Sequence, residues 1–440
     1  MSLNWVHKTA FGIYNLGWRI ALPCIRLHHR LAEGYQQRIL RDCPSQTVDL
    51  WIQAASVGES YLALELINHL KTRRAIRILL TVNTRQAIDM LNRGLTGHLQ
   101  HQVDVRYFPF DKPSIMELAV DCLRPNLMVL LESEIWPGLL RALKGRHCKI
   151  LIVNGRITDR SLRRYRLWPS IWQALRPDKI LAVSPADADR FAELFGPDKV
   201  EIMANIKFDR MAPLEAGAGD HNRLKAFLPP GIPFVVLASV RRAEETKVAQ
   251  IIDEIIHIRP QTVIGLFPRH IQRLAFWQDA LTRMAIPWTL RSSTSAVVPA
   301  GTVVLWDTFG ELVSAYRLAQ SAFVGGSLAP LGGQNFLEAL VSGLVPVIGP
   351  SWQNFAWVGQ EIIEAGLLRI ASDCRQVAAL ILKDLNCPPD RDKIAGDALG
   401  FIKARQGGTA QACRQIEAML FEKSGTLNPD PLTGFHHLRR

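Results

Sequence analysis

Two signals that often declare a protein's chemistry are missing from this 440-residue chain. Its seven cysteines (Cys24, Cys43, Cys122, Cys148, Cys374, Cys387 and Cys413) include no Cys-x-x-Cys pair and no Cys/His spacing of a metal site. That excludes a zinc module, and the odd, scattered set reads as small hydrophobes in a reducing compartment. Long apolar runs are missing as well. The stretch 1–30 is broken by Asn15, Arg19 and Pro23, whereas a spanning helix needs ~20 uninterrupted apolar residues, and no small-residue cleavage site follows. Acidic residues are outnumbered, 40 against 52 Lys and Arg, for a formal net charge of +12. The excess is dispersed and carries no RNP, zinc-finger or helix-turn-helix signature, so no nucleic-acid partner is expected. Anionic small molecules and an anionic lipid surface remain as partners. No Gly-x-Gly-x-x-Gly follows the first strand with an acid ~20 residues on, which disfavours a dinucleotide-binding protein or a noncatalytic scaffold.

What is present is a long alternation of short apolar strands and helical segments. Hydrophobic residues make up 48% of the chain, enough for two cores. Strands are predicted at Val48–Ala55, Ile76–Val82, Val103–Phe110, Leu127–Leu131, Ile150–Val153 and Ile180–Val183. A second series is predicted at Phe234–Ala238, Thr262–Phe267, Val303–Trp306, Ala322–Val324 and Val345–Ile348. Near-continuous apolar strands separated by helices imply parallel, doubly wound α/β sheets. The expected organisation is a membrane-associating amphipathic segment 1–30, a Rossmann-like domain 31–211, a Gly/Pro-rich linker 212–233, a second Rossmann-like domain 234–423 and a basic tail 424–440. In the first segment Trp5, Phe11, Ile13, Tyr14, Leu16, Trp18, Ile20 and Leu22 stand among Lys8, Arg19, Arg26 and Arg30. That mixture suits a helix lying in a membrane interface, with an amphipathic helix packed on the protein body as the alternative.

The stretch Phe323–Pro350, with its pairs Gly325-Gly326 and Gly332-Gly333, reads as strand, glycine loop, helix, strand. Paired glycines and a helix N-terminus would offer amides to a phosphate, with Glu338 placed to meet a ribose. A ligand-free βαβ crossover is the competing interpretation. Glu59 stands at a strand-to-helix turn, where a carboxylate can act as general base or simply favour the helix dipole. Glu132 and Glu134 flank Ser133 at the end of another strand; either one faces the site and one holds structure, or both cap the following helix. Lys207 and the pair Arg269-His270 follow apolar strands and suit phosphate or carboxylate. Arg156, Arg160, Arg163, Arg164 and Arg166 form a basic run that would bind an acidic substrate or be a solvated helix face.

Taken together and in order, these segments resemble the Kdo transferases, the 3-deoxy-D-manno-octulosonic acid transferases of lipopolysaccharide biosynthesis. The resemblance runs from about residue 10 to 415 and rests on 55–59 (ASVGE), 132–137 (ESEIWP), 154–161 (NGRITDRS), 205–209 (NIKFD), 268–270 (PRH), 307–312 (DTFGEL) and the glycine-loop stretch. It implies a GT-B glycosyltransferase, two Rossmann-like domains facing across a cleft, that moves Kdo from CMP-Kdo to a lipid A precursor (lipid IVA) with inversion, at the cytoplasmic side of the cell inner membrane. By the same resemblance Glu59 is the base, and Glu132 and Lys207 support the transition state. The CMP is held at Pro268, Arg269, Phe309, Gly310, Glu311, Asn335, Phe336, Leu337 and Glu338. A CMP-sugar carries one phosphate, which Arg269, Lys207 and helix amides can neutralise, so neither cofactor nor metal is expected. Departures are Gln53 where a His is common, Phe309 where Met is usual, and 239–242 (SVRR) in place of a Ser-Thr-His-like run. A related GT-B transferase using another nucleotide sugar is the alternative enzyme.

Overall fold

The computed structural model describes residues 5–27, 32–41, 46–95, 100–211, 224–294 and 297–421. The chain divides into two compact units, one formed by residues up to Arg210 and from Gln406 onward, the other by Met211–Arg405. Residues 212–223 of the expected linker, the tail 424–440 and Cys43 lie outside the described residues.

The first unit is built on seven parallel strands: β1 (Leu50–Ala54), β2 (Arg77–Val82), β3 (Gln102–Tyr107), β4 (Leu127–Leu131), β5 (Lys149–Gly155), β6 (Lys179–Ala182) and β7 (Val200–Ile202). Their order is β3-β2-β1-β4-β5-β6-β7. Helices cover both faces, so every residue of β1 and β4 is buried, and this is why both strands are nearly unbroken apolar runs. Gln53 in β1 is the polar exception. Strand order reverses between β1 and β4, the place where open α/β sheets put their ligands.

The second unit repeats the plan with β8 (Phe234–Val240), β9 (Val263–Pro268), β10 (Trp288–Leu290), β11 (Val303–Leu305), β12 (Ser321–Val324), β13 (Val347–Ile348) and β14 (Arg369–Ile370), in the order β10-β11-β9-β8-β12-β13-β14. All pairings are parallel, and the reversal falls between β8 and β12. The sequence did not announce β7, β10 and β14, which are two or three residues long and incompletely buried.

One expected boundary is corrected. The helix Gly408–Phe421 belongs to the first unit, not to the second domain. Ala412, Cys413, Ile416 and Met419 join the core against β4, β5 and the helix Val57–His69, and Asp209 holds the helix start through the amides of Gly407 and Thr409, both at 2.6 Å. A Cβ on Gly408 would lie 2.0 Å from the Ala204 carbonyl, so only glycine permits this approach. A second correction concerns the cysteines: Cys24, Cys148, Cys374, Cys387 and Cys413 are free, but Cys122 is disulfide-bonded.

The helix Trp5–Ile25 has one packed and one exposed face. One face packs on the body, with Phe11 buried, Trp18 against Phe110 and the Tyr14 hydroxyl donating to Asp111 at 2.8 Å. The other exposes Trp5, Ile13, Leu16 and Ile20. No helix among the described residues is long and apolar enough to cross a membrane.

Candidate active site

The carboxyl ends of β1 and β4 gather three glutamates and a lysine. Ser56 caps the helix Val57–His69 by accepting the Glu59 amide at 3.2 Å, and the Glu59 carboxylate reaches back to the Ala55 amide (Oε2, 2.6 Å) and the Ser56 hydroxyl (Oε1, 3.1 Å). Glu59 thus does serve the helix end, as a capping-box acid does. Its electrostatics go further. Burial first, then the charge of Glu134 and more weakly that of Glu132, push its carboxyl from 4.5 up to about 7, against the lowering pull of the Ala55 amide and the Ser56 hydroxyl. A capping glutamate in open solvent would not be raised in this way.

Glu132 follows β4 in a left-handed conformation, φ 53°, as does Asn154 near the end of the neighbouring β5, φ 57°. Neither is glycine, and non-glycine residues held there store backbone strain of the kind that clusters at functional sites. Glu132 Oε1 receives the Lys207 ammonium at 2.6 Å, a half-buried ion pair. Asn154 Oδ1 accepts the Ile206 amide at 3.0 Å, and the Asn205 side chain caps the short helix Ile206–Asp209 that carries Lys207. Asn154 therefore places the lysine, a role the sequence did not reveal.

Glu134 is nearly buried. Its Oε2 accepts from Gln53 Nε2 at 3.1 Å and from the Trp136 indole at 2.8 Å. Neither glutamate caps the next helix, Pro137–Gly145, because the amides of Gly138 and Leu139 donate to Asp111 at 2.9 and 2.7 Å. The helix-capping alternative is thereby excluded, and the two acids have distinct partners, Lys207 for Glu132 and Gln53 with Trp136 for Glu134.

The arginine run is also resolved. Arg156 precedes the helix Asp159–Tyr165 and does not share its face. Arg166 pairs with Glu193. Arg160, Arg163 and Arg164 are exposed and make no ion pair with a described residue. Beside them Leu167 and Trp168 present apolar side chains to solvent.

In the second unit the glycine loop is not an open phosphate cradle. Glu244, fully buried, fills it: Oε1 accepts from the amides of Arg241 and Gly326, and Oε2 from those of Ser327 and Leu328 at 3.2 Å. The second pair is also satisfied internally, Gly332 by Ser351 and Gly333 by the Gly326 carbonyl. The expected phosphate site in these amides is corrected for that reason. Behind the loop, the helix Leu337–Val341 has only five residues; Asn335 accepts the Leu337 amide and donates to Glu338 at 2.7 Å, while burial raises the Glu338 carboxyl. Phe336 and Leu337 are core residues.

The other donor-side candidates sit at the carboxyl ends of β9 and β11. Arg269 follows Pro268, its amide bonded to the Val240 carbonyl at 2.8 Å and its side chain exposed. In the loop after β11 the Glu311 carboxylate is consumed by its own domain: it takes a two-pronged contact from Arg291 (3.0 and 2.9 Å), the Trp306 indole (2.8 Å) and the Thr308 hydroxyl (2.9 Å). What this loop can offer a ligand is the Gly310 turn, φ 90°, and the Phe309 ring, 85% exposed. Asp-x-Asp spacing occurs twice, at Asp187/Asp189 and Asp390/Asp392, but Asp187 caps its own helix region through Ser184 and Ile157, and Asp390 caps the helix Arg391–Lys403. No cluster of three or more metal-ligating acids, His or Cys occurs among the described residues.

Two Rossmann-like parallel-sheet domains in one chain, each with polar residues at its strand carboxyl ends, make up the GT-B fold. A solved glycosyltransferase from Rickettsia africae shares the fold, with a TM-score of 0.56 at 10% identity over 86% of this chain and all of that one. Residues 26–210 match the family described as 3-Deoxy-D-manno-octulosonic-acid transferase (kdotransferase). A 3-deoxy-D-manno-octulosonic acid transferase of Bordetella pertussis is 30% identical over 383 residues, covering 84% of this chain and 87% of that protein. One from Haemophilus influenzae is 26% identical over 393 residues, 87% of this chain and 89% of that protein. The chain belongs to the Kdo transferase family.

Proposed function

We propose that this protein transfers Kdo from CMP-Kdo to a lipid A precursor, lipid IVA, with inversion at the anomeric carbon and Glu59 as general base. The observation that carries the reading is the Glu59 carboxyl, held at the end of β1 by the Ala55 amide with its proton affinity raised to about 7. A base poised near the working pH combines a useful ionised fraction with strong proton uptake. The acceptor hydroxyl gives its proton to Glu59 while its oxygen bonds to the anomeric carbon of Kdo. The bond from that carbon to the phosphate oxygen breaks, and CMP leaves with the electron pair.

The departing phosphate needs positive charge. Arg269 is an exposed donor-side cation, and the Lys207–Glu132 pair supports charge developing on the acceptor side. Phe309 offers a face for a nucleobase. The exposed apolar face of Trp5–Ile25 and the three exposed arginines Arg160, Arg163 and Arg164 favour an anionic lipid surface, consistent with a lipid acceptor at the cytoplasmic side of the inner membrane. The reaction asks for no metal or cofactor.

The test is Kdo transfer to a tetraacylated lipid A precursor by the wild-type protein and by Glu59→Gln. The wild type should transfer Kdo from CMP-Kdo and not sugar from a UDP-sugar. The variant should lose ~10²–10⁴-fold in rate while still binding CMP. A folded wild type inert with CMP-Kdo but active with another nucleotide sugar would overturn the donor assignment; an active Glu59→Gln would overturn the base.

A further inference from the structure

We propose that Glu134 is a positioning residue of this site: gripped by Gln53 and Trp136, it keeps a second negative charge beside Glu59 and so strengthens Glu59 as a base. The inference rests on the reading of Glu59 as the proton acceptor.

Both carboxylates are tied to the same end of β1. Gln53 Nε2 donates to Glu134 Oε2 at 3.1 Å, and two residues further on the Ala55 amide donates to Glu59 Oε2 at 2.6 Å. The other end of the Gln53 amide is engaged as well. Its Oε1 accepts the Thr81 hydroxyl at 2.6 Å, and Thr81 in turn accepts the Trp51 indole at 2.8 Å, all of it buried. In this arrangement the amide nitrogen faces Glu134, and a nitrogen donor stabilises the ionised form of the acid. Trp136 adds a second donor to the same oxygen. The other oxygen, Oε1, has no hydrogen-bond partner among the described residues.

Among the described residues, the surroundings of Glu134 contain charge but no cation of its own. Glu59 and Glu132 face it, Tyr165 lies within its field, and the Lys207 ammonium is bound to Glu132. A carboxyl nearly buried without a cationic partner is costly to ionise. A helix cap or a core contact would not require it, and such an arrangement is more often found where proton affinity is tuned. Burial first, and more weakly the charge of Glu132, raise the Glu134 carboxyl overall, while Trp136 and Gln53 hold that rise down; its charge is in turn the second largest influence lifting Glu59. The two acids titrate as a coupled pair. When Glu134 is ionised, the proton taken from the acceptor is held more tightly on Glu59.

The test is the pH profile of kcat/KM for Kdo transfer by the full-length protein, wild type against Glu134→Gln, with Glu59→Gln assayed in parallel. Removing the charge should move the acid limb to lower pH, while the plateau falls by less than the ~10²-fold loss that removal of a base brings. A purely structural role would scale the profile without moving its limb, and that result overturns the proposal. Should Glu134→Gln fail to fold, Trp136→Phe withdraws one donor, leaves Glu134 less readily ionised and should move the limb the same way by a smaller amount; no movement there also overturns it. A Glu59→Gln protein with wild-type rate overturns the base reading and this proposal together. An inactive Glu59→Gln protein beside an unmoved limb overturns this proposal alone.

Discussion

The carboxylate of Glu244 lies against the backbone of Gly325, so close that a Cβ on that glycine would sit 2.5 Å from Oε1. The same carboxylate takes the amides of Arg241, Gly326, Ser327 and Leu328. A buried acid thus supplies the negative charge that a glycine-rich turn would otherwise seek from a ligand. Glu244→Ala would strand several buried amides at about 1–3 kcal/mol each. We expect it to destabilise the second unit by more than about 3 kcal/mol, a loss visible as a clearly lowered melting temperature. Gly325→Ala should act in the same direction by displacing the carboxylate. An unchanged melting temperature in Glu244→Ala would show the loop does not depend on it.

With Glu59 as the proposed base, which must be ionised to take a proton, the transfer rate should climb as pH rises through about 7. Stability runs the other way. The folded protein holds the Glu59 proton more tightly than the unfolded chain, so from about 4.5 to about 7 the folded form binds more protons and this residue's contribution weakens as pH rises. Glu59→Gln does not titrate. Relative to wild type it should therefore gain stability across that window, measurable by denaturant unfolding at pH 5 and pH 8, while losing activity. An equal stability difference at both pH values would contradict the shift.

Since Glu311 spends its carboxylate on Arg291, Trp306 and Thr308, we expect its contribution to the proposed nucleotide site to be indirect, through the turn at Phe309 and Gly310. Arg291→Ala and Glu311→Ala should weaken CMP binding by similar factors. The double substitution should be little worse than either, as expected for partners in one contact. Titration calorimetry with CMP reads this directly. Additive losses would mean that Glu311 touches the nucleotide by itself.

The exposed face of Trp5–Ile25 offers a separate test. Replacing Ile13, Leu16 and Ile20 together by serine removes apolar area that the fold does not bury. Partition onto anionic vesicles should fall by at least about tenfold, since each such side chain is worth more than ~1 kcal/mol when buried in an apolar phase. The melting temperature should stay put. Phe11→Ser, on the packed face, should instead lower it. Undiminished vesicle binding by the triple variant would remove this helix from the membrane reading.

Much of the architecture follows from the order of apolar runs. A strand buried on both faces has to be apolar throughout, so β4 was read from Leu127 to Leu131, the bounds it has in the structure. The edge strands β7, β10 and β14 are too short and too exposed to leave such a trace. Glu59, Glu132 and Lys207 were visible because chemistry-bearing residues at strand ends stand out against apolar neighbours, and the fold brings all three to the adjoining ends of one sheet.

What local sequence could not carry is partnership across the chain. Helical periodicity in Gly408–Phe421 says that one face is apolar but not which sheet it will cover, and tertiary packing sent it back to β4, β5 and the helix Val57–His69. Glycine pairs declare backbone freedom, not the identity of the anion that uses it; only the approach of Glu244, 82 residues before Gly326, decided that the loop is closed from within. The same holds for Glu134, whose proton affinity depends on Gln53 from another strand and on the acids beside it. Burial and hydrogen-bond partners are properties of the folded chain, and they, more than residue type, determine whether a carboxylate caps, anchors or accepts a proton.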